Sequence, residues 1–129
     1  MSIDKSKIPE EWLKFAKADL AIAKIDLPPD AKLELLCFHA QQAVEKAIKS
    51  VLIKCKLSFP YTHDIRALMD LLPEGLRNSP ALKYAEDLSV YAVAPRYPSN
   101  DQIAESEYEQ DLAIAEAVVA WAETIINKS

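Results

Sequence analysis

Three places in the sequence hold side chains that could bind anions or transfer protons, and the first is the run FHAQQAVEK over residues 38–46. His39, Gln42 and Lys46 recur here at i, i+3 and i+7, so they share one face of a helix. Such a face could line a polar cleft for a phosphate or a nucleobase. The alternative is structural, with His39 and Gln42 hydrogen-bonded to neighbouring helices and Lys46 solvated.

The second place is the tripeptide Thr62-His63-Asp64, at the predicted start of a helix. His63 could act as an acid–base group or as a ligand, because imidazole changes its charge near neutral pH. In the structural alternative, Thr62 and Asp64 accept from the free N–H groups of the first helical turn while His63 packs against the preceding loop.

The third place is the segment from Tyr91 to Tyr97, which ends in Arg96-Tyr97-Pro98. Prolines on both sides of Arg96 restrict the backbone, so the loop should be stiff. A stiff loop that presents Arg96 beside Tyr97 suits a phosphate contact together with base stacking. The alternative pairs Arg96 with an acidic side chain, Asp101 or Glu105, while the tyrosines pack.

Other catalytic patterns are missing from the sequence. It contains no glycine-rich phosphate loop, no His-Glu-x-x-His and no paired-cysteine metal motif. Cys37 and Cys55 would lie about 27 Å apart on one helix, too far for a disulfide, and two thiols alone make a poor zinc site. We interpret both as reduced packing residues. A Cys37–His39 dyad is also excluded, because residues two apart on a helix point in different directions.

The elements that position these residues are predicted to be helices. The chain has 129 residues, and its only glycine is Gly75, whereas sheet proteins need glycine at turns and bulges. Prolines divide the sequence, and apolar spacings of three and four predict five helices: about Pro9 to Asp26, Ala31 to Lys54, His63 to Leu72, Pro80 to Val93 and Asp101 to Asn127.

Local signals set the ends of these helices. Asp30 should cap the second helix, Thr62 the third, and Asn78 or Ser79 the fourth, while Pro73 and Gly75 should end the third. The second helix is apolar over more surface than one neighbour can cover, so it should lie centrally or face both its own core and another subunit. The sequence therefore predicts one all-α domain over residues 1–129, an antiparallel up-and-down bundle of four to five helices.

Composition narrows the class further. The sequence has no uncharged apolar run of about 18 residues that would span a membrane, and its start, MSIDKSKIPEEW, lacks the apolar core of a signal peptide. We therefore expect a cytoplasmic protein with no membrane partner. The formal net charge is −5, which argues against a broadly basic surface for gripping long nucleic acid.

Four motifs in register resemble the HEPN family over nearly the whole chain. The run 38–49, FHAQQAVEKAIK, is similar to the second helix of that family. The other three matches are an amphipathic first helix with Trp12-Leu13 and Ala18-Asp19-Leu20, the run THDIRAL over residues 62–68, and the run YAVAPRYP over residues 91–98 before a long last helix.

The resemblance implies a helical bundle that pairs through a two-fold interface as a homodimer and binds nucleotide or RNA. It also implies a possible partner, a small nucleotidyltransferase, within a toxin–antitoxin pair. Active family members are metal-independent ribonucleases that use an Arg followed, after four to six residues, by a His. Here Arg96 is the fitting arginine, but positions 101–103 are Asp101, Gln102 and Ile103.

We therefore expect a HEPN-type nucleotide- or RNA-binding module without metal or cofactor. Its binding residues would be Arg96, Tyr97, His63, Asp64, His39, Gln42 and Lys46. An endoribonuclease that uses Arg96 with a non-standard histidine, His63 or His39, is the first alternative. The second is an HD-type metal phosphohydrolase built from His39, His63-Asp64 and Asp101 or Asp111. A helical interaction protein without a small ligand is the third.

Overall fold

The computed structural model describes residues 3–91 and 103–128, and these residues form helices and no strand. The α-helices are α1 (Pro9–Ala23), α2 (Leu33–Lys54), α3 (Ile65–Met69), α4 (Glu74–Arg77) and α5 (Glu105–Ile126). Short 3-10 segments cover Lys5–Lys7, Pro80–Leu82 and Ala85–Tyr91. The predicted all-α bundle is confirmed.

Helix α2 lies at the centre of the bundle. It packs against α1 and α5 and against the 3-10 segment Ala85–Tyr91, and almost every side chain from Ala40 to Leu52 is buried or half-buried. Burial on several sides follows from the sequence, since apolar residues cover most of the circumference of α2. The polar residues on α2 must therefore find partners within the protein.

The three long helices have defined directions relative to one another. Contacts of Trp12 with Lys49 and of Asp19 with His39 show that α1 runs antiparallel to α2. Ion pairs of Lys24 with Glu116 and of Lys17 with Glu123 show that α1 also runs antiparallel to α5. Helices α2 and α5 thus point the same way, and the shorter segments between them carry the chain back.

The chain reverses its direction sharply at the end of α2. Lys56 has a left-handed backbone, with φ 61°, and its N–H donates to the carbonyl of Ile53 while the N–H of Leu57 donates to that of Leu52, both at 2.9 Å. This is the Schellman arrangement, which usually carries glycine at the left-handed position. Here Lys56 adopts it, and the segment after it runs back along α2.

Most predicted helix boundaries are confirmed within a few residues, but several caps are wrong. Helix α1 ends at Ala23, and α2 begins after Lys32 without a side-chain cap, so Asp30 does not cap it. Asp64 rather than Thr62 is the N-cap of α3, which ends at Met69. Gly75 lies inside the short helix α4 and does not end α3.

The predicted fourth helix is the largest error. The structure places two 3-10 segments there, Pro80–Leu82 and Ala85–Tyr91. The buried residues are Leu82, Ala85, Leu88 and Tyr91, so they recur at every third position. Because a 3-10 helix has three residues per turn, this spacing keeps one side of it facing the core. Residues 92–102, including the predicted start of the last helix at Asp101, lie outside the described part of the chain.

None of the helices in residues 3–91 and 103–128 has the length and apolarity needed to cross a bilayer.

Candidate functional site

The first polar cluster joins α1 to α2 and is centred on Asp19, whose carboxylate is largely buried. Lys46 Nζ donates to Asp19 Oδ2 at 2.6 Å, and His39 Nδ1 lies 3.0 Å from Asp19 Oδ1. The ring of Phe15 lies beside the ammonium, 5.9 Å from Nζ to the centroid, and Phe38 packs edge-on against His39. One carboxylate thus holds a lysine and a histidine together; we call this the Asp19 cluster.

The second polar cluster has the same composition and is centred on Glu45, which is 2% exposed. Lys49 Nζ donates to Glu45 Oε2 at 2.9 Å, and His63 Nδ1 lies 2.9 Å from Glu45 Oε1. Gln41 Nε2 donates to the same Oε1 at 3.1 Å. This group, the Glu45 cluster, ties α2 to the segment that precedes α3.

Aromatic rings and an amide link complete the arrangement. The ammonium of Lys49 lies 5.4 Å from the ring centroids of both Trp12 and Phe59, so its charge faces two aromatic rings as well as Glu45. Gln42 Nε2 donates to Gln41 Oε1 at 2.7 Å. Because Gln41 belongs to the Glu45 cluster and Gln42 lies on the helix face of His39, this bond connects the two clusters.

Both imidazoles are held in a defined tautomer. A carboxylate can only accept a hydrogen bond, so the proton on each ring lies on Nδ1, which faces Asp19 in His39 and Glu45 in His63. The Nε2 atoms are then left for other partners. The side chain of His39 is 30% exposed and that of His63 is 41% exposed, so both can reach a ligand from solvent.

A third group of polar side chains is buried between α2, α5 and the end of the Ala85–Tyr91 segment. Tyr91 Oη donates to Glu107 Oε1 at 3.1 Å, and Asp111, which is 7% exposed, has one carboxylate oxygen with no partner among the described residues. Burial raises the pKa of Asp111, and the neighbouring Glu107 raises it further, against hydrogen bonds from Tyr91 and Cys37. Burial and Asp111 also raise the pKa of the Cys37 thiol to about 12, so this thiol is not a nucleophile at neutral pH.

Comparison with known proteins decides the family. The profile of the HEPN domain family matches residues 9–125, nearly the whole of the chain. The chain belongs to the HEPN domain family. No curated protein and no solved structure matches it significantly. Family membership identifies the chain, in general terms, as a nucleotide- or RNA-related helical module.

The structure of this HEPN domain brings some of the residues predicted from the sequence together. His39 and Lys46 meet on Asp19, and Gln42 connects their helix face to the Glu45 cluster, which holds His63. The expectation that Lys46 is merely solvated is wrong, because its ammonium is paired and its side chain is 25% exposed.

The residues around His63 follow the structural alternative in part. Thr62 Oγ1 accepts from the N–H of Asp64, and Asp64 Oδ1 accepts from the N–H of Ala67, so Asp64 is occupied as a helix cap. His63, however, reaches Glu45 on α2 instead of only packing on its own loop. Arg96 and Tyr97 lie outside the described residues.

The HD-type alternative is not supported by the positions of its residues. His39 pairs with Asp19, His63 pairs with Glu45, and Asp111 lies with Tyr91. Within residues 3–91 and 103–128, no three metal-ligating side chains come together. Asp101 lies outside that part of the chain.

Sequence reasoning missed the two residues that organise the site, Asp19 and Glu45. Asp19 interrupts the apolar spacing of α1, three residues after Ala16 and four before Ala23, and both alanines are fully buried. A charged residue inside such a stripe must be paired in the fold. Glu45 and Lys49 likewise lie four residues apart on a helix with little polar surface, which was a detectable signal for a buried ion pair.

The Glu45 cluster predicts a strong coupling between two buried charges. Replacing Glu45 alone, as Glu45→Leu, should lower the free energy of unfolding by about 3–5 kcal/mol, because Lys49 is left buried without its carboxylate. Adding Lys49→Met should restore part of this loss. The measurement is a double-mutant cycle by urea denaturation.

The exposed ion pair of Lys24 with Glu116, 3.8 Å apart, is the matched control, and its coupling should stay below about 1 kcal/mol. Equal coupling energies for the two pairs would contradict the assignment of Glu45 and Lys49 as a buried, interdependent pair.

Removing the charge of Asp111 should stabilise the fold, and the size of this gain should depend on pH. Because its pKa is higher in the folded state than in the unfolded state, its ionised form destabilises the fold at a pH above the folded pKa. This penalty should disappear as the pH falls through the folded pKa towards the unfolded value. Asp111→Asn should therefore melt at a higher temperature than wild type at neutral pH, and the gap should narrow on acidification.

Wild type and Asp111→Asn share the charged and polar neighbours that face position 111, which are Glu107, Asp87, Tyr91 and Cys37. Thermal melts followed by circular dichroism between neutral and acidic pH give the answer. A variant that is less stable than wild type at neutral pH would contradict the assigned direction.

Proposed function

We propose that this HEPN domain binds RNA or nucleotide through the surface formed by the Asp19 and Glu45 clusters. The observation that carries the proposal is that two imidazoles, His39 and His63, are each fixed at Nδ1 by a buried carboxylate that also holds a lysine. With Nδ1 bound to a carboxylate, Nε2 is the ring nitrogen that would accept from ribose hydroxyls or base N–H groups and, when protonated, donate to phosphate.

Lys46 adds an ammonium group to the same surface and keeps donors for a ligand. An ammonium carries three donors, and the Asp19 bond uses one of those of Lys46. Lys46 keeps partial exposure, whereas Lys49 is 5% exposed and acts as a support between Trp12 and Phe59. We therefore assign Lys46, His39 and His63 as ligand contacts, with Gln42 between them. Arg96 and Tyr97 remain in the proposal as further contacts on the basis of their sequence motif.

The proposal includes a homodimer. Phe15 and Ile22, seven residues apart on one face of α1, are 58% and 42% exposed, and Ile25, Leu27 and Leu35 are also exposed. Phe15 also contacts Lys46, so a second copy packed on this face would border the Asp19 cluster. On the basis of the family resemblance, we also propose a small nucleotidyltransferase as a partner, with which this protein would form a toxin–antitoxin pair.

A metal-independent endoribonuclease is the second candidate function. The observation that favours it is the histidine geometry, because a carboxylate on Nδ1 leaves Nε2 as the proton-transferring atom of a general base. Two such imidazoles could serve as acid and base for attack of a ribose hydroxyl on the adjacent phosphate. Arg96 would then stabilise the charge of the transition state.

Lys46→Gln should weaken binding of a fluorescein-labelled single-stranded RNA, measured by anisotropy. Since one phosphate contact is lost, the slope of log binding constant against log salt should fall by about 1. Lys24→Gln is the matched control, because Lys24 also pairs with a carboxylate of another helix but lies away from both clusters. Equal effects of the two substitutions, or no RNA binding by wild type, would contradict the proposal.

The same samples distinguish the binding module from the nuclease. RNA recovered from the wild-type mixture in the presence of a chelator is run on a sequencing gel beside untreated RNA. Intact RNA supports the module, whereas fragments that disappear with His63→Ala or His39→Ala support the endoribonuclease.

A further inference from the structure

Tyr61 is the most exposed aromatic side chain in the described part of the chain. It is 91% exposed, and its ring packs edge-on against His63, with centroids 5.4 Å apart and planes at 75°. An exposed aromatic residue alone says little. Tyr61 is distinguished by its contact with an imidazole that already belongs to the candidate site.

The segment that carries Tyr61 is anchored on both sides. After the reversal at Lys56, Phe59 packs against Trp12 with centroids 5.8 Å apart and faces Lys49, and His63 is bound to Glu45. Pro60 fixes φ immediately before Tyr61. The ring of Tyr61 therefore faces solvent from a segment that is anchored at Phe59 and His63. This anchoring reduces the conformational entropy that the segment would lose when a ligand binds.

Four exposed lysines lie on the parts of the chain that lead into this segment or contact it, although the net charge of the whole chain is −5. Lys54 and Lys56 are exposed at the end of α2, and Lys5 and Lys7 are exposed in the turn that Trp12 holds through a 2.7 Å bond from Nε1 to the carbonyl of Ser6. Three acidic side chains of the same region are occupied: Asp4 caps Ser6, Asp64 caps α3, and Glu11 pairs with Lys14. Glu10 is the remaining exposed carboxylate of the first turn of α1.

We propose that Tyr61 and His63 form a stacking platform for an unpaired base of single-stranded RNA, with Lys54 and Lys56 contacting phosphates further along the same strand. The inference rests on the proposed RNA binding and specifies the form of RNA that is selected. Aromatic side chains interleaved with cations suit single strands, because every base offers a π-face while the backbone needs positive charge. A duplex hides its bases, so it cannot use the platform.

This arrangement favours nucleic acid over a protein partner. Tyr61 stands between Pro60 and Thr62 and follows the exposed Lys54 and Lys56 in the chain, whereas a protein interface needs a broad apolar core. The bond from His63 to Glu45 keeps the imidazole in one orientation, in which it packs edge-on with the ring of Tyr61.

The test uses full-length protein and a short single-stranded RNA that carries one 2-aminopurine, whose fluorescence is quenched by stacking. Tyr61→Ala should weaken binding about tenfold to a hundredfold and abolish the protein-induced change in 2-aminopurine emission. Tyr61→Phe should retain both signals, because it keeps the ring. Tyr84→Ala is the matched control, since Tyr84 is 55% exposed and lies beside its own lysine, Lys83, but contacts no histidine.

A duplex of the same sequence should bind weakly and equally to wild type and Tyr61→Ala. If wild type binds the single strand and Tyr61→Ala binds it as tightly as Tyr84→Ala, the platform is wrong while the RNA-binding proposal stands. If wild type binds no RNA, both proposals fail. Loss of self-association instead of RNA binding in Tyr61→Ala would identify a protein contact and overturn the inference.

Discussion

The carboxylate of Glu45 is the constraint on which the rest of this structure depends. It is buried on the central helix and receives hydrogen bonds from Gln41, Lys49 and His63. Removing a charge of this kind from water is costly unless its partners are well placed, so the chain must bring all three donors to it. Two of the donors come from α2 itself, and the third requires the chain to reverse after α2 and return.

The same constraint produces the candidate site. Lys49 donates one hydrogen bond to Glu45 while its ammonium faces the rings of Trp12 and Phe59, and His63 contacts Glu45 through Nδ1, so its other nitrogen is the one it can present to a ligand. The Asp19 cluster has the same arrangement on another face of α2, where one carboxylate binds both His39 and Lys46. These two imidazoles, each held at Nδ1 by a buried carboxylate, are the basis of the proposed nucleic-acid surface, which accords with the general character of the HEPN family.

Much of the fold was predictable because it follows from periodicity. The bounds of α1 and α2, the central place of α2 and the long last helix all come from the spacing of apolar residues and prolines. The predicted fourth helix was wrong because Leu82, Ala85 and Leu88 also fit a helix of 3.6 residues per turn, although their spacing of three is that of a 3-10 helix. The end of α2 at Lys54 was predicted, but the left-handed conformation of Lys56 was not, because its usual signal, a glycine, is replaced by lysine.

The site was predictable only in part, for a different physical reason. Helical spacing placed His39, Gln42 and Lys46 on one face, but Asp19, the partner of His39 and Lys46, lies 20 residues before His39 in the chain, so the pairing depends on how two helices pack. The bond from His63 to Glu45 depends likewise on the returning segment. Such contacts could have been anticipated only from the rule that a charge inside an apolar stripe must be paired.

The most direct test of the central claim is the tautomer of the two histidines, read from long-range proton–nitrogen correlation spectra of the imidazole rings. With neutral rings, the account predicts that His39 and His63 both carry their proton on Nδ1, and that added single-stranded RNA shifts their Nε2 signals. Protons on Nε2, or Nε2 signals that stay unchanged at saturating RNA, would contradict it.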